Sequence, residues 1–129
     1  MTVLSSSVGP NSHPKQGELT WSKSERAIAR RAFDHALNRE LQEVIQHAKQ
    51  MAAEVREPSE LWDLEHHLTE RRKEINRKYE YRASKLRFVF GTLLHEGRLT
   101  EQDLRDLRED KLEAIRSYAD FLSRRDEPI

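Results

Sequence analysis

Cysteine is absent from this 129-residue chain. That excludes disulfides and thiolate metal sites, and a cytoplasmic protein is the simpler reading. Glycine and proline are scarce, four of each, which disfavours a wide sheet stitched together by tight turns. Charge of either sign is not in excess: Lys+Arg and Asp+Glu are 23 each, so the whole chain exerts no bulk pull on nucleic acid or an anionic membrane. No stretch approaches the ~18 apolar residues of a transmembrane helix. The first residues, MTVLSSSVGPNSHPKQGE, lack the basic and apolar regions of a secretory signal. No glycine-rich phosphate loop or nucleophile elbow is present. No enzymatic activity and no cofactor are expected.

What remains is a chain that is 36% charged and 36% hydrophobic, a balance that suits long helices with solvated faces in one ordinary domain. Residues 1–20, rich in Ser, Pro and Gly, read as a disordered tail. Ser22 and Glu25 have capping-box spacing, and Trp21 occupies the position of a hydrophobic staple. Leu37, Leu41, Val44, Ala48, Met51 and Val55 then recur at steps of four and three, a heptad seam. No Gly or Pro interrupts before Pro58. A short link around Glu57-Pro58-Ser59 predicts an antiparallel neighbour.

That neighbour, Leu61 to Phe90, reads as one long amphipathic helix that either runs unbroken into the C-terminal part or bends near Ala83-Ser84. Its apolar residues Leu61, Leu64, Leu68, Ile75, Tyr79 and Leu86 form a stripe in which Arg72 occupies the place of one apolar turn. A charge on a packing face is costly unless it is paired or reserved for a partner. Trp62 lies one position off the stripe, and Trp and Arg are the residue types most enriched at interface hot spots. The uncovered apolar surface of such a hairpin is closed either by a second copy of the chain or by the C-terminal helices folding back. Phe88, Val89, Phe90, Leu93 and Leu94 form a dense cluster, Gly97 marks a helix end, and Thr100 with Asp103 starts another helix. The expected architecture is all-α and dimeric: a long antiparallel helical hairpin stalk over 21–85, including the dimerisation region, and a small C-terminal helical head over 86–124.

Candidate chemistry is sparse. His66 with Glu70, and Asp63 with His67, have the i,i+4 spacing of metal ligands, but neither pair has a matching motif on another helix, and no metal is expected. Arg71, Arg72, Lys73, Arg77, Lys78, Arg82, Lys85 and Arg87 crowd one segment. Three readings stand for this basic run: an acidic protein partner; pairing, within the chain or across a dimer, with acidic segments such as Glu101, Asp103, Asp106, Glu109 and Asp110; or, ranked last, a nucleic-acid backbone.

These residues carry a resemblance. Leu61-Trp62-x-Leu64, Leu68, Arg72, Glu74-Ile75, Lys78-Tyr79, Arg82, Phe88-Val89-Phe90, Leu93-Leu94, Glu96-Gly97 and Leu99 together resemble the fluorescence recovery protein family of cyanobacterial photoprotection. The resemblance implies an all-helical homodimer that acts without catalysis. Its implied partner is the photoactivated orange carotenoid protein, chiefly the C-terminal domain, whose return to the inactive form it accelerates. Trp62 and Arg72 match positions implicated in dimerisation and partner contact, and Phe88 matches a head position implicated in binding the carotenoid protein. Leu37, Leu41, Leu68 and Tyr79 complete the expected interface. One departure is local. The family pattern after the tryptophan is closer to Trp-x-Leu-His-Asp, so His66 stands where an acidic partner of Arg72 is expected. Kept fold with changed partner is therefore the alternative: a helical protein-interaction or stress-related scaffold.

Overall fold

The computed structural model describes residues 19–127, and all but the last two residues of the expected N-terminal tail lie outside them. Helix α1 runs over Lys23–Glu54 and α2 over Pro58–Lys78. Helix α3 covers Leu86–His95, a single 3₁₀ turn covers Glu101–Leu104, and α4 spans Glu109–Asp126. No strand occurs among the described residues.

Local chemistry sets most of the boundaries. The Ser22 side chain accepts from the Glu25 N–H, and the Glu25 carboxylate accepts from the Ser22 N–H, so two of the orphan donors at the start of α1 are satisfied. Trp21 does not act as a staple onto the fourth helical residue, which is Arg26; it is buried and tilts against Phe90, 6.3 Å between ring centroids. Pro58 opens α2, where a missing N–H costs nothing. Just past its C-cap Glu96, helix α3 is closed by Gly97, whose φ of +76° allows the Arg98 N–H to reach back to the Leu93 carbonyl at 2.8 Å and the Gly97 N–H to reach the Leu94 carbonyl. That is a Schellman closure, and glycine adopts its left-handed residue without a Cβ penalty.

Two sequence expectations are corrected. The stretch Leu61–Phe90 is not one helix; it breaks from Tyr79 to Lys85. Tyr79 and Tyr81 both place their rings edge-on to Phe33, at 5.5 and 5.1 Å. Residues two apart lie on nearly opposite sides of a helix but on one side of an extended chain, so a common aromatic partner requires the helix to stop there. Likewise, Thr100 begins a 3₁₀ turn rather than the final helix, although its capping box with Asp103 forms. Leu104 and Leu107 are buried, and the Arg108 N–H is taken by the Glu25 carboxylate at 3.0 Å. Arg108 is therefore extended, and the helix restarts at Glu109.

The core joins the N-terminal half of α1 to α3, the 3₁₀ turn and α4. Ala29, Ala32 and Ala36 keep α1 thin on that face, and Phe90, Leu86, Leu93, Leu104 and Ile115 fill the space against it. Helices α3 and α4 approach so closely at Gly91 that a Cβ there would lie 2.8 Å from the Tyr118 ring and 3.1 Å from the Ile115 carbonyl. A buried ion pair locks the same region: the Glu25 carboxylate lies 3.1 Å from the Lys111 ammonium, and both side chains are 3% exposed. Burial alone would push Glu25 up. Hydrogen bonds from the backbone of Arg108 and Ser22, together with Lys111, outweigh it and hold the carboxyl at about 2.

A depressed carboxylate contributes stability that is present above its unfolded value and lost as pH falls through the folded one. Glu25 should therefore supply about 3 kcal/mol at neutral pH, lost between about pH 4.5 and about pH 2. Urea unfolding of the parent and of Glu25→Gln checks this: the gap between their stabilities should close across that window. A gap that stays constant would remove the role.

Candidate protein-interaction surfaces

The distal part of the molecule is the α1–α2 hairpin, and its apolar residues are incompletely covered. The heptad seam of α1 is only half-buried, and Leu41, Ile45, Leu61, Trp62 and Leu68 are exposed. Between the helices runs a groove of about 280 Å³ lined by Leu37, Leu41, Val44, Leu68, Arg71, Arg72, Ile75, Asn76 and Tyr79. The fold thus gathers Leu37, Leu41, Leu68, Arg72 and Tyr79 into one feature. Trp62, 63% exposed, and His66 lie on α2 toward the hairpin tip, outside the groove lining. Phe88 is elsewhere, on α3.

Tyr79 forms part of the groove lining but is mostly buried, and its hydroxyl donates to the Glu40 carboxylate at 2.8 Å. Glu40, 1% exposed, is the centre of an ion network that sequence reasoning missed. Lys78 lies 2.8 Å from one of its oxygens, and Arg71 and Arg98 each lie at 3.3 Å. Glu96 bridges Lys78 and Arg98, and Glu43 and Glu74 bind Arg98 and Arg71 from outside. Burial would raise the Glu40 carboxyl, but Lys78, Tyr79 and Arg98 hold it below the ordinary carboxylate range. Burial and the bond to Glu40 push the Tyr79 hydroxyl well up. The network ties mid-α1, the end of α2 and the turn after α3 to one carboxylate.

This outcome corrects the intramolecular form of one reading of the basic run. Its internal partners are Glu40, Glu70, Glu74, Glu80 and Glu96, not the acids of 101–110. Glu101 and Glu109 both bind Arg116, Asp110 binds Lys111, and Asp103 caps Thr100. Arg72, Arg77, Lys85 and Arg87 enter no ion pair among the described residues.

A second surface lies on α3 and α4. Phe88 meets Tyr118 edge-on at 5.0 Å, and Tyr118 stacks on Phe121 at 5.9 Å. Phe121 is 45% exposed. Arg87 sits over Phe88 at 4.6 Å and Arg125 over Phe121 at 5.9 Å. Beside this ladder opens a cleft of about 420 Å³ whose lining includes Arg77, Lys85, Phe88 and Tyr118. A ladder of two half-buried aromatics and one exposed one, flanked by unpaired cations, is suited to a protein surface that carries carboxylates. Tyr118 and Phe121 are one step of three apart on α4, the sequence sign that the ladder continues from one to the other.

Among the described residues no three His, Asp or Glu side chains converge as a metal site, and no helix is long and apolar enough to cross a membrane.

The chain matches the family model described as the photoprotection regulator fluorescence recovery protein over residues 21–119. It is 34% identical over 102 residues to the fluorescence recovery protein of Synechocystis sp. (strain PCC 6803), covering 79% of this chain and 94% of that one. Its fold is similar to that of the solved fluorescence recovery protein of Fremyella diplosiphon, with a TM-score of 0.73 and 38% identity, over 78% of this chain and 98% of the other. The Synechocystis structure gives the same TM-score, 0.73, at 34% identity and the same coverage of both chains, 78% and 98%.

Proposed function

The chain belongs to the fluorescence recovery protein family of photoprotection regulators, and from that premise we propose that it binds photoactivated orange carotenoid protein and accelerates its return to the inactive orange form, restoring light harvesting. It does so as a cytoplasmic homodimer, without catalysis and without a cofactor. The family match carries this reading, because residues 21–119 include Trp62, Arg72 and Phe88. A factor that speeds a return must bind some state on the return path better than the active state.

Residues 21–85 serve as stalk and dimerisation region, and residues 86–124 as the partner-binding head. Support for the dimer comes from the half-covered groove and its exposed Leu41 and Leu68, with Trp62 beyond it. Support for the head contact comes from Phe88 being the inner rung of an aromatic ladder bordered by unpaired cations. His66 and Arg72 are six residues apart, on well-separated sides of α2. In the proposed homodimer, histidine at position 66 removes the acidic partner that the resemblance leads one to expect for Arg72.

The test is dark recovery of photoactivated orange carotenoid protein with and without this chain. Acceleration at stoichiometric dimer is expected, and its absence would refute the partner. Phe121→Ala should weaken the acceleration about tenfold, as loss of an exposed interface aromatic worth ~1.4 kcal/mol does, with thermal unfolding nearly unchanged. Unaltered acceleration would remove Phe121 from the contact.

A further inference from the structure

One contact between α1 and α2 has a chemistry that the groove and the Glu40 network do not use. His47 of α1 and His67 of α2 meet edge-to-face, with ring centroids 4.6 Å apart and planes at 76°. The Nε2 atom of His67 is buried and has no hydrogen-bond partner. The contact lies beyond the buried core, in the part of the hairpin where the residues of both helices are half-buried or exposed. It joins the half-buried Val44, Ala48, Met51 and Leu64 in the packing of the two helices there, with His67 half-buried and His47 exposed.

We propose that the His47–His67 contact is a proton-operated latch: neutral rings hold α1 against α2, and imidazolium rings turn to carboxylates on their own helices and release it. A neutral imidazole leaves one ring nitrogen free of hydrogen, whereas an imidazolium makes both nitrogens donors. Protonation would thus turn the unpartnered Nε2 of His67 into part of a charged donor with no acceptor, a costly state. A second proton on His47 would add repulsion between two cations in ring contact.

The surroundings supply the other position of the latch. On α1 the charged groups within one turn of His47 are Glu43 and Lys49. On α2 those around His67 are Asp63, Glu65, which accepts from the Thr69 hydroxyl, His66, Glu70 and Arg71. Glu43 and Asp63 each precede their histidine by four residues, the order in which an acid and a base pair best along a helix. Asp63 has no ion-pair or hydrogen-bond partner among the described residues. Glu43 is held only by Arg98 at its solvent side, Glu70 is engaged by Lys73, and Arg71 is committed to Glu40 and Glu74. Histidine is the ordinary side chain that gains and loses a proton close to neutrality.

Because the chain has no cysteine, Gln50→Cys and Glu65→Cys introduce unique spin-label sites on the two helices. Double electron–electron resonance on labelled protein diluted into unlabelled protein then reads the distance within one chain. A narrow distribution is expected at about pH 7.5 and a longer, broader one at about pH 5.5. Added His47→Phe and His67→Leu substitutions, which keep apolar contact without a titrating ring, should leave it narrow at both values. Asp63→Asn should reduce the broadening. If the double variant does not fold, His67→Gln alone should be insensitive to pH. Unchanged parent distances, broadening that persists without the histidines, or an equal loss of helicity in parent and variant by circular dichroism would each overturn the latch.

Discussion

Glu40→Ala is expected to be among the most damaging substitutions in this protein, costing about 3–5 kcal/mol of stability. The reason is the asymmetry of buried charge. Removing the carboxylate leaves the ammonium of Lys78, the guanidinium groups of Arg71 and Arg98, and the Tyr79 hydroxyl converging on a site that is 1% exposed. Breaking such a network costs more than its net contribution, because the stranded groups stay desolvated. Glu43→Gln is the matched control. Glu43 binds the same Arg98 at 2.8 Å but is 60% exposed, and surface pairs contribute about 0–1 kcal/mol. Urea unfolding measures both. Similar losses for the two variants would mean that Glu40 is not the hub. The pH dependence has a defined sign. The Glu40 carboxyl is held below its ordinary range, so its contribution is present above that range and fades as the solution is acidified through the folded value.

Leu68→Glu should have the second largest effect, and on assembly rather than on folding. Leu68 is 37% exposed in one chain and lines the groove between α1 and α2. A carboxylate there stays solvated in a protomer, so the cost to folding is small. In the proposed homodimer the same carboxylate is buried twice, once per copy, as the symmetry of such an interface demands. Burial of an unpaired charge costs several kcal/mol after relaxation, so the dimer constant should weaken by a factor of roughly 100 or more. Size-exclusion chromatography with light scattering across a concentration series reads the shift, and circular dichroism should show helicity retained. A Leu68→Glu protein that remains dimeric would move the interface away from this groove. One that loses its helices would make Leu68 a folding residue instead.

Much of the element structure was legible in the order of residues because helix ends depend on neighbours. The Ser22–Glu25 and Thr100–Asp103 boxes, Pro58 at the start of α2 and Gly97 after α3 all satisfy backbone groups within a few positions. The groove was legible in part for a similar reason. Leu37, Leu41, Leu68 and Arg72 show it through periodicity, and the resemblance that drew attention to Trp62, Arg72 and Phe88 rests on contiguous motifs. Tyr79 was legible as a stripe residue, but its stripe does not continue: Tyr81 shares Phe33 with it, and that common partner ends the helix.

By itself, then, the sequence determined an all-helical chain, most of its caps and its family, since each depends on spacing along the chain. Only the tertiary structure decided which charges matter. Glu40 resembles Asp34, Glu43 and Glu54, the solvated acids of α1, in its local sequence, and nothing near it marks it for burial. It becomes the hub because Arg71 and Lys78, 31 and 38 residues away, arrive from α2, and because the Gly97 closure swings Arg98 in beside them. The same holds for the break at Tyr79–Lys85 and for the meeting of His47 with His67. Each depends on a partner brought near by folding, and periodicity along one helix carries no record of what the other helix presents.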